Sequence, residues 1–186
     1  MSKSSPKLPQ ILQRSLIASS RFFKIEKLHL KFSNGQQREF ERMQGNNHGA
    51  VLIVPFYDEE TILLIREYAA GTHSYELGFP KGLIDPGETA DESANRELKE
   101  EVGFGAKKFH ELKKVTLAPS YFNSEMTLFM AFDLYPEKLE GDEPEPLEVI
   151  KWPLNKVDQL LARDDFQEAR SISALLLALK TLKQSK

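Results

Sequence analysis

Three glutamates near the middle of the chain have the spacing of a cluster that could bind a metal ion. Glu97, Glu100 and Glu101 stand at positions i, i+3 and i+4, so on a helix they would share one edge. Carboxylates at this spacing repel each other and would mildly destabilise a purely structural helix. A hard divalent cation removes that penalty, because Mg²⁺ takes oxygen ligands and usually retains waters and substrate phosphates. Spacing alone leaves a second interpretation open, in which Arg96 balances a solvated acidic face.

The helix that must carry these glutamates has recognisable limits. Thr89 and Glu92 form a capping box at its start, and Gly103 suits the left-handed position at its end. An apolar stripe with a four-residue repeat predicts the buried side: Ala90, Ala94, Leu98 and Val102. The preceding segment, residues 82–88, contains two glycines and a proline, so we expect a turn that leads directly into the cap.

From Gly82 to Phe104 the chain reads G-x5-E-x7-R-E-L-x-E-E-x-G-F. This pattern resembles the Nudix box, and every defining position is filled: Gly82, Glu88, Arg96, Glu97, Leu98, Glu100, Glu101, Gly103 and Phe104. So many fixed positions are far more specific than a lone glycine pattern. The resemblance covers about residues 45–186 and implies an α+β fold, the Nudix α/β/α sandwich with a mixed sheet.

The resemblance also implies roles for individual residues. The implied ligands of a Mg²⁺ cofactor, or of Mn²⁺, are the carboxylates of Glu97, Glu100 and Glu101 and the backbone carbonyl of Lys81. Glu100 is expected to act in catalysis and to bind the metal through water. From spacing alone Arg96 can reach Glu100 or Glu88. The resemblance implies a pair of Arg96 with Glu88 that fixes the loop against the helix.

Related ADP-ribose hydrolases take their general base from a loop downstream of the box. Four downstream acids are candidates here: Glu125, Asp142, Glu143 and Glu145. Glu143 and Glu145 are favoured, because the acidic segment 135–147 can close over a substrate. The alternative for each acid is a solvated side chain without a catalytic role.

Five residues are expected to bind the substrate: Arg42, Arg66, Glu76, Pro119 and Tyr121. Arg66 matches the arginine that contacts pyrophosphate or ribose in ADP-ribose hydrolases, and an arginine fork suits phosphate oxygens. Arg42 matches a family residue near the adenine or its phosphate. Glu76 matches the glutamate of the family segment W-E-L-P-A-G. This chain departs from that segment, since Tyr75 replaces the tryptophan and G-F-P-K-G adds two residues.

Aromatic residues in the loops could stack on an adenine ring: Tyr68, Phe79, Tyr121 and Phe122. Their alternative role is to form small satellite cores. Beyond the box, Pro119 is typical of ADP-ribose hydrolases and Tyr121 of diadenosine polyphosphate hydrolases. The presence of both fits an enzyme with relaxed specificity, although Pro119 could serve only to shape its loop.

The resemblance therefore implies metal-dependent hydrolysis of the pyrophosphate bond in ADP-linked compounds, with release of AMP. The implied substrates are ADP-ribose, diadenosine polyphosphates such as the triphosphate, and NADH. One alternative is another Nudix activity, on nucleoside triphosphates or sugar nucleotides. A second alternative is a non-catalytic sensor that binds ADP-ribose, against which the intact acids of the box argue.

Composition excludes several other classes. The net charge of −3 and the pI near 5.9 argue against general nucleic-acid binding. The chain has no cysteine, which excludes disulfides, zinc thiolate sites and cysteine nucleophiles. No apolar run approaches the ~18 residues needed to span a membrane, and no signal-peptide core is visible. We therefore expect a cytoplasmic protein with a small nucleotide substrate and neither nucleic-acid nor membrane partners.

Residues 1–25 carry five cations and no acid: Lys3, Lys7, Arg14, Arg21 and Lys24. This composition is weakly similar to a transit peptide. An ordinary N-terminal arm is favoured instead, because Pro6 and Pro9 break any early amphipathic helix.

After this arm, partial alternation in residues 21–32 and the Asn34-Gly35 pair predict a β-hairpin that returns over residues 36–43. In the ADP-sugar pyrophosphatase branch of the family, such a region builds a swapped homodimer. We therefore expect a dimerisation region at residues 1–44 and a hydrolase domain at residues 45–186. Further strands are expected at 50–56, 61–68, 75–77, 109–117, 126–134 and 148–152, and closing helices at 155–163 and 166–182.

Overall fold

The computed structural model describes residues 7–45 and 48–184. Its strands are β1 (Gln10–Ser19), β2 (Lys24–Lys31), β3 (Gln37–Gln44), β4 (Ala50–Pro55), β5 (Thr61–Ala69), β6 (Ser74–Gly78), β7 (Lys81–Leu83), β8 (Phe104–Thr116), β9 (Phe122–Asn123), β10 (Glu125–Pro136) and β11 (Glu148–Pro153). Its α-helices are α1 (Ala90–Glu97), α2 (Val157–Leu161) and α3 (Ala169–Gln184). The predicted α+β class is confirmed, and the chain divides into two compact units, Met1–Asn47 with Thr116–Glu125 and His48–Val115 with Met126–Lys186.

The N-terminal unit is built on a sheet of order β1-β2-β3-β9. The predicted hairpin is confirmed as the antiparallel pair β2–β3, and Gly35 has the positive φ of 83° that its turn requires. Strand β1 was not predicted within the arm. Its register shifts twice against β2, between Ile11 and Gln13 and between Leu16 and Ala18. These bulges break the two-residue alternation by which a strand is recognised.

The second unit contains one sheet of order β7-β4-β10-β8 and another of order β11-β5-β6. Strands β4 and β10 pair in parallel, while the other pairs recorded for β4 and β5 are antiparallel. Alternate residues of β4 enter separate apolar clusters. Leu52 and Val54 pack with buried residues of α2 and α3, whereas Val51 and Ile53 pack with those of α1. Helices therefore cover the buried strands on both faces, as the sandwich prediction requires.

The helix of the box has two parts. α1 runs to Glu97, and a π-helical turn, Leu98–Val102, continues it to Gly103, whose φ is 79°. The predicted end at Gly103 is confirmed. Of the predicted stripe, Ala94, Leu98 and Val102 are buried and Ala90 is half-buried, while the π turn was not anticipated. The next strand begins at Phe104 and not at residue 109.

The last helix, α3, begins three residues later than predicted. Glu168 holds its first turn, since its carboxylate accepts hydrogen bonds from the backbone N–H groups of Arg170 (3.1 Å) and Ser171 (2.8 Å). Phe166, the predicted first residue, is instead a buried side chain of the core. Within residues 7–45 and 48–184, no helix is long and apolar enough to cross a membrane.

Candidate active site

The loop and cap of the box hold the acidic helix in place. Thr89 Oγ1 accepts from the N–H of Glu92 at 3.3 Å, and the Glu92 carboxylate accepts from the N–H of Thr89 at 2.8 Å. This reciprocal pair is the predicted capping box. At Gly82 a Cβ atom would overlap the carboxylate of Glu97. The glycine is required there because it lets the backbone lie directly against a glutamate of the cluster.

Arg96 joins the loop to the cluster. Its Nε and Nη2 donate to the two oxygens of Glu88 at 3.0 and 3.1 Å, and Nη2 also donates to the carbonyl of Leu83 at 2.9 Å. Its Nη1 donates to Glu97 at 2.7 Å and to Glu100 at 3.0 Å. Both partners that spacing allowed are therefore bound at once. The hydrogen bonds from Arg96, and then that from Ser93, lower the pKa of Glu88 to about 2.

Glu97 and Glu101 are buried carboxylates. Glu101 is only 4% exposed, and burial raises its pKa to about 9, although the N–H of Lys81 donates to its Oε2 at 3.0 Å. Burial likewise raises the pKa of Glu97 to about 7, against the lowering effect of Arg96. Buried acids with raised pKa values are costly to keep charged, which makes them candidates for a bound cation.

The donor set fits a divalent cation by its chemistry, since carboxylate and carbonyl oxygens are the ligands that such ions prefer. Within the described part of the chain, no group of three or more Asp, Glu, His or Cys side chains is arranged around one ready-made metal position. Glu97 and Glu100 instead share the guanidinium of Arg96. The metal ligands predicted from the sequence, namely Lys81, Glu97, Glu100 and Glu101, therefore remain a prediction.

Two of the candidate bases, Glu143 and Glu145, lie in the acidic segment between β10 and β11 but have different neighbours. Glu143 lies close enough to Glu97 to raise the pKa of that residue, and the space beside Gly141 is bordered by Glu143 and by Glu100. Glu145 instead accepts a hydrogen bond from the hydroxyl of Tyr75, which raises the pKa of the phenol. Glu143 therefore faces the box, whereas Glu145 is bound to β6.

The same segment is tied to the box helix at its start. The N–H of Glu137 donates to the carbonyl of Gly103 and that of Leu139 to the carbonyl of Lys99, both at 3.1 Å. The Lys99 ammonium also pairs with the Glu137 carboxylate at 2.9 Å. These contacts fix the position from which Glu143 approaches the cluster. Sequence spacing cannot predict these three contacts, because they join residues more than 30 positions apart.

Two cavities of the second unit contain predicted substrate residues. Arg66 lines one of about 380 Å³ with Tyr68, Tyr75 and Glu143, and its guanidinium donates to Glu148 at 2.9 Å and to Asp165 at 2.8 Å. Glu76 lines another of about 240 Å³ beside Lys81 and Arg170. These cavities include residues that sequence reasoning missed, such as Arg170 and Glu67, the latter forming an ion pair with the Lys81 ammonium.

Glu76 has one oxygen free for a ligand. Its Oε1 accepts hydrogen bonds from Ser74 at 2.6 Å and Thr72 at 3.1 Å. Its Oε2 is buried and has no hydrogen-bond partner among the described residues. A buried acceptor of this kind is costly unless a ligand or water satisfies it. Phe79, by contrast, is fully buried against Phe166, so the prediction that it could stack on adenine is wrong.

The other predicted substrate residues belong to the N-terminal unit. Arg42 Nε donates to Glu26, which is 5% exposed, at 2.6 Å. Tyr121 is exposed, and its carbonyl accepts from the N–H of Met43 at 2.8 Å. Pro119 lies in the turn that the N–H of Tyr121 closes on the carbonyl of Ala118 at 3.0 Å. Arg42 therefore lies on β3, and Tyr121 lies directly before β9, the strand that pairs with β3.

Comparisons with known proteins agree with this description. A NUDIX domain model matches residues 46–176, and a NudE-type Nudix hydrolase N-terminal domain model matches residues 9–42. The chain is 58% identical to the ADP compounds hydrolase NudE of Escherichia coli K12, over 98% of this chain and 97% of that protein. It is 26% identical to an ADP-ribose pyrophosphatase of Bacillus subtilis, over 81% and 80% of the two chains. A crystal structure of an ADP compounds hydrolase superposes with a TM-score of 0.92 at 55% identity and covers 98% of both chains.

Proposed function

The chain belongs to the Nudix hydrolase family, and from that premise we propose that it hydrolyses the pyrophosphate bond of ADP-linked compounds and releases AMP. The expected substrates are ADP-ribose, diadenosine triphosphate and NADH. The observation that carries the proposal is the complete box, in which buried Glu97 and Glu101 lie beside Arg96. The name of the 58% identical relative supports the choice of ADP-linked substrates.

The box carboxylates would hold the metal ion. Glu97, Glu100 and Glu101, with the carbonyl of Lys81, supply hard oxygen ligands for Mg²⁺ or Mn²⁺. When bound, the cation neutralises charge on the phosphates and favours ionisation of water. Arg96 and Glu88 hold the loop against the helix, so that Gly82 stays beside Glu97. This support keeps the ligands in position between turnovers.

Glu143 is our choice of general base. It lies beside Glu97 and Glu100, whereas Glu145 is bound to Tyr75. In the reaction, water attacks phosphorus, its proton passes to the Glu143 carboxylate, and the P–O bond to the leaving phosphate breaks. Phosphoryl transfer depends mainly on positioning and charge stabilisation, which is what these residues supply.

Substrate contacts are proposed for five residues, namely Arg42, Arg66, Glu76, Pro119 and Tyr121. The guanidinium of Arg66 suits pyrophosphate oxygens, and the free Oε2 of Glu76 suits a ribose hydroxyl. Arg42 and Tyr121 would contact the adenosine moiety, and Pro119 would shape the turn that presents Tyr121.

We also propose that residues 1–44 form a homodimer contact and residues 45–186 the hydrolase domain. Large apolar side chains are exposed on β1 and the turn after it: Ile11, Leu12, Leu16, Ile17, Phe22 and Phe23. Such a patch is typical of a protein–protein contact. Light scattering at micromolar concentration should give twice the mass of 21.2 kDa, and a monomer would contradict the proposal. We propose a cytoplasmic location, which cell fractionation would check.

The test of the activity is AMP release from ADP-ribose, diadenosine triphosphate, NADH and a nucleoside triphosphate, each with Mg²⁺ and with EDTA. Release from the first three, abolished by EDTA, is the expected result. Activity on the triphosphate alone would move the protein to another Nudix activity. Binding of ADP-ribose without turnover in Mg²⁺ would identify a sensor.

A further inference from the structure

A third cavity of the second unit combines apolar side chains with acidic ones. It has a volume of about 670 Å³, which lies within the range of small-molecule sites, about 300–1,000 Å³. Four of its lining residues are acids, and none of the described residues that line it is a lysine or an arginine. It shares no lining residue with the cavities that contain Arg66 and Glu76.

This cavity lies away from the proposed hydrolysis site. Phe56, one of its lining residues, directly follows β4, whereas Gly82 of the box pairs with Val51 near the beginning of that strand. At ~3.3 Å per residue, Val51 and Phe56 are about 17 Å apart along the strand. Leu182 of α3 also lines the cavity and is about 16 Å along the helix from Ser171, which lines the Glu76 cavity. The hydrolase chemistry therefore does not account for this cavity.

The floor of the cavity is apolar and largely aromatic. The rings of Phe56 and Phe132 stack with their centres 4.9 Å apart, at an angle of 19°. Phe56 is almost fully buried, whereas Phe132, Leu154 and Leu182 are half-buried and leave apolar surface accessible to a ligand. Covering this surface would remove it from water, which favours a ligand with an apolar body.

The acids lie beside this floor, mainly in the turn between β4 and β5. The N–H of Glu60 donates to the Asp58 carboxylate at 2.9 Å, and the Glu60 carbonyl accepts from the N–H of Leu154 at 2.7 Å. Asp133 pairs with Lys108 at 2.8 Å. The carboxylates of Glu59 and Glu60 form no ion pair within residues 7–45 and 48–184. The cavity therefore has negative charge that the described residues leave unneutralised.

One alkylammonium group of the protein already lies against the cavity residue Tyr57. The ammonium of Lys151 is 3.5 Å from the centre of the Tyr57 ring, which is a cation–π contact. The pKa of Asp58 is lowered, first by the hydrogen bond from the N–H of Glu60 and to a smaller extent by the charge of Lys151. An aromatic face and an acid thus accommodate a cation together at this end of the unit.

We propose that this cavity binds a small organic cation with an apolar body, of the arylalkylammonium class. The body would pack on Phe132, Leu154 and Leu182, and the ammonium would lie beside the carboxylates of Glu59 and Glu60. Charge complementarity argues for this class, because the acids repel phosphate groups and gain nothing from a neutral apolar molecule. The cavity is therefore not a second site for the nucleotide substrate.

The test is isothermal titration calorimetry of the full chain at pH 7 with three probes. The probe 2-phenylethylamine, which is protonated at this pH, has both the aromatic body and the charge. The alcohol 2-phenylethanol keeps the body without the charge, and ethylamine keeps the charge without the ring. The cavity variant is E59Q/E60Q. The matched control E41Q/E111Q removes the same charge from two exposed positions outside the cavity, and circular dichroism verifies that both variants fold.

We expect one 2-phenylethylamine site per chain in the wild type and in the control, and Kd about fivefold weaker in E59Q/E60Q. The alcohol and ethylamine should both bind at least about fivefold more weakly than 2-phenylethylamine. Hydrolysis of ADP-ribose with Mg²⁺ should stay within about twofold of the wild type in E59Q/E60Q. The proposal would be overturned by equal weakening in both variants, by equal affinity for any two of the three probes, by absence of 2-phenylethylamine binding, or by a parallel loss of hydrolysis.

Discussion

Glu26 in the N-terminal unit and Glu101 in the second unit are both almost fully buried, at 5% and 4% exposure, yet their surroundings differ. Glu26 accepts from the guanidinium of Arg42 at 2.6 Å, so its charge is neutralised inside the fold. Glu101 receives only the backbone N–H of Lys81 among its described hydrogen bonds, and burial raises its pKa to about 9. Burial of an acid is therefore not by itself a sign of function. The informative property of Glu101 is that burial outweighs the lowering effect of the nearby Lys81 charge on its pKa, which makes this carboxylate a candidate for a bound cation.

The same contrast extends to each unit as a whole. The N-terminal unit has nine Lys and Arg against four Asp and Glu, a formal charge of +5, while the second unit has sixteen against twenty-four, a formal charge of −8. The overall charge of −3 conceals this asymmetry. The proposed metal site accordingly lies in the acidic unit, and the basic unit contains Arg42, one of the residues proposed to contact the substrate.

The largest effect that we expect from a loop residue is that of Glu143→Gln. If Glu143 takes the proton of the attacking water, kcat for ADP-ribose should fall by about a hundredfold or more. Glu145→Gln is the matched control, because glutamine can still accept the hydrogen bond of Tyr75, and its kcat should fall less than about threefold. Steady-state kinetics decide between them, and a larger loss in Glu145→Gln would reverse the assignment.

Arg96→Lys tests how far the acidic site depends on its arginine. Lysine keeps the charge but cannot bind Glu88 with two parallel hydrogen bonds while it also reaches Glu97 and Glu100. We expect kcat to fall by about ten- to a hundredfold, as for residues that support metal ligands. Arg38→Lys, at an exposed position without an acidic partner among the described residues, should leave kcat unchanged. Wild-type kcat in Arg96→Lys would mean that charge alone suffices.

Glu26→Gln should affect stability, and substrate affinity through Arg42, more than the chemical step. Glutamine can still accept the hydrogen bond of Arg42, but the partly buried guanidinium loses its charged partner, which should lower the free energy of unfolding by about 1–3 kcal/mol. Urea denaturation measures this change. At saturating ADP-ribose, kcat should remain within about twofold, whereas KM should rise because Arg42 is a proposed substrate contact. A large loss of kcat with unchanged stability would show that Glu26 acts in catalysis, and it would contradict the contrast drawn between Glu26 and Glu101.

The smallest effect concerns acid stability. The pKa of Glu88 is lowered in the fold to about 2, from a reference value of 4.5, mainly by hydrogen bonds from Arg96. The fold therefore favours the charged carboxylate of Glu88. Its contribution to the free energy of unfolding is fully present above about pH 4.5 and is lost as the pH falls toward 2. Glu88→Gln should weaken the loss of stability between pH 4.5 and 2, measured by thermal melting. An unchanged slope would show that the Arg96–Glu88 pair contributes little.

Local signals in the sequence predicted the limits of the box helix and the N-terminal hairpin. The capping box at Thr89, the end at Gly103 and the buried stripe all depend on residues within one helix, and Asn34-Gly35 specifies its own hairpin. The π turn at Leu98–Val102 was missed because its sequence continues the stripe of an ordinary α-helix. The hydrogen bond that identifies it runs from the N–H of Gly103 to the carbonyl of Leu98, five residues earlier, at 3.1 Å.

Non-local contacts account for the rest. The bond from Tyr75 to Glu145 joins residues 70 positions apart, and no spacing rule distinguishes Glu145 from Glu143 without it. Phe79 was considered as a stacking residue, but Phe166 buries it from a distant part of the chain. Residues 116–125 lie inside the predicted 45–186 segment and yet cluster with the N-terminal strands, since β9 pairs with β3. Such contacts depend on tertiary packing, which local propensity does not encode.

The most direct test of the account is kcat of Glu101→Gln on ADP-ribose at saturating Mg²⁺, measured together with its melting temperature in EDTA. Glutamine keeps the size of the side chain and can still accept the hydrogen bond of Lys81, but it cannot offer a charged ligand to a cation. We predict that kcat falls by at least about a hundredfold while the melting temperature stays equal or rises, because burial already disfavours the charge. Wild-type kcat in this variant would contradict the proposal that the buried acid of the second unit is there to bind metal.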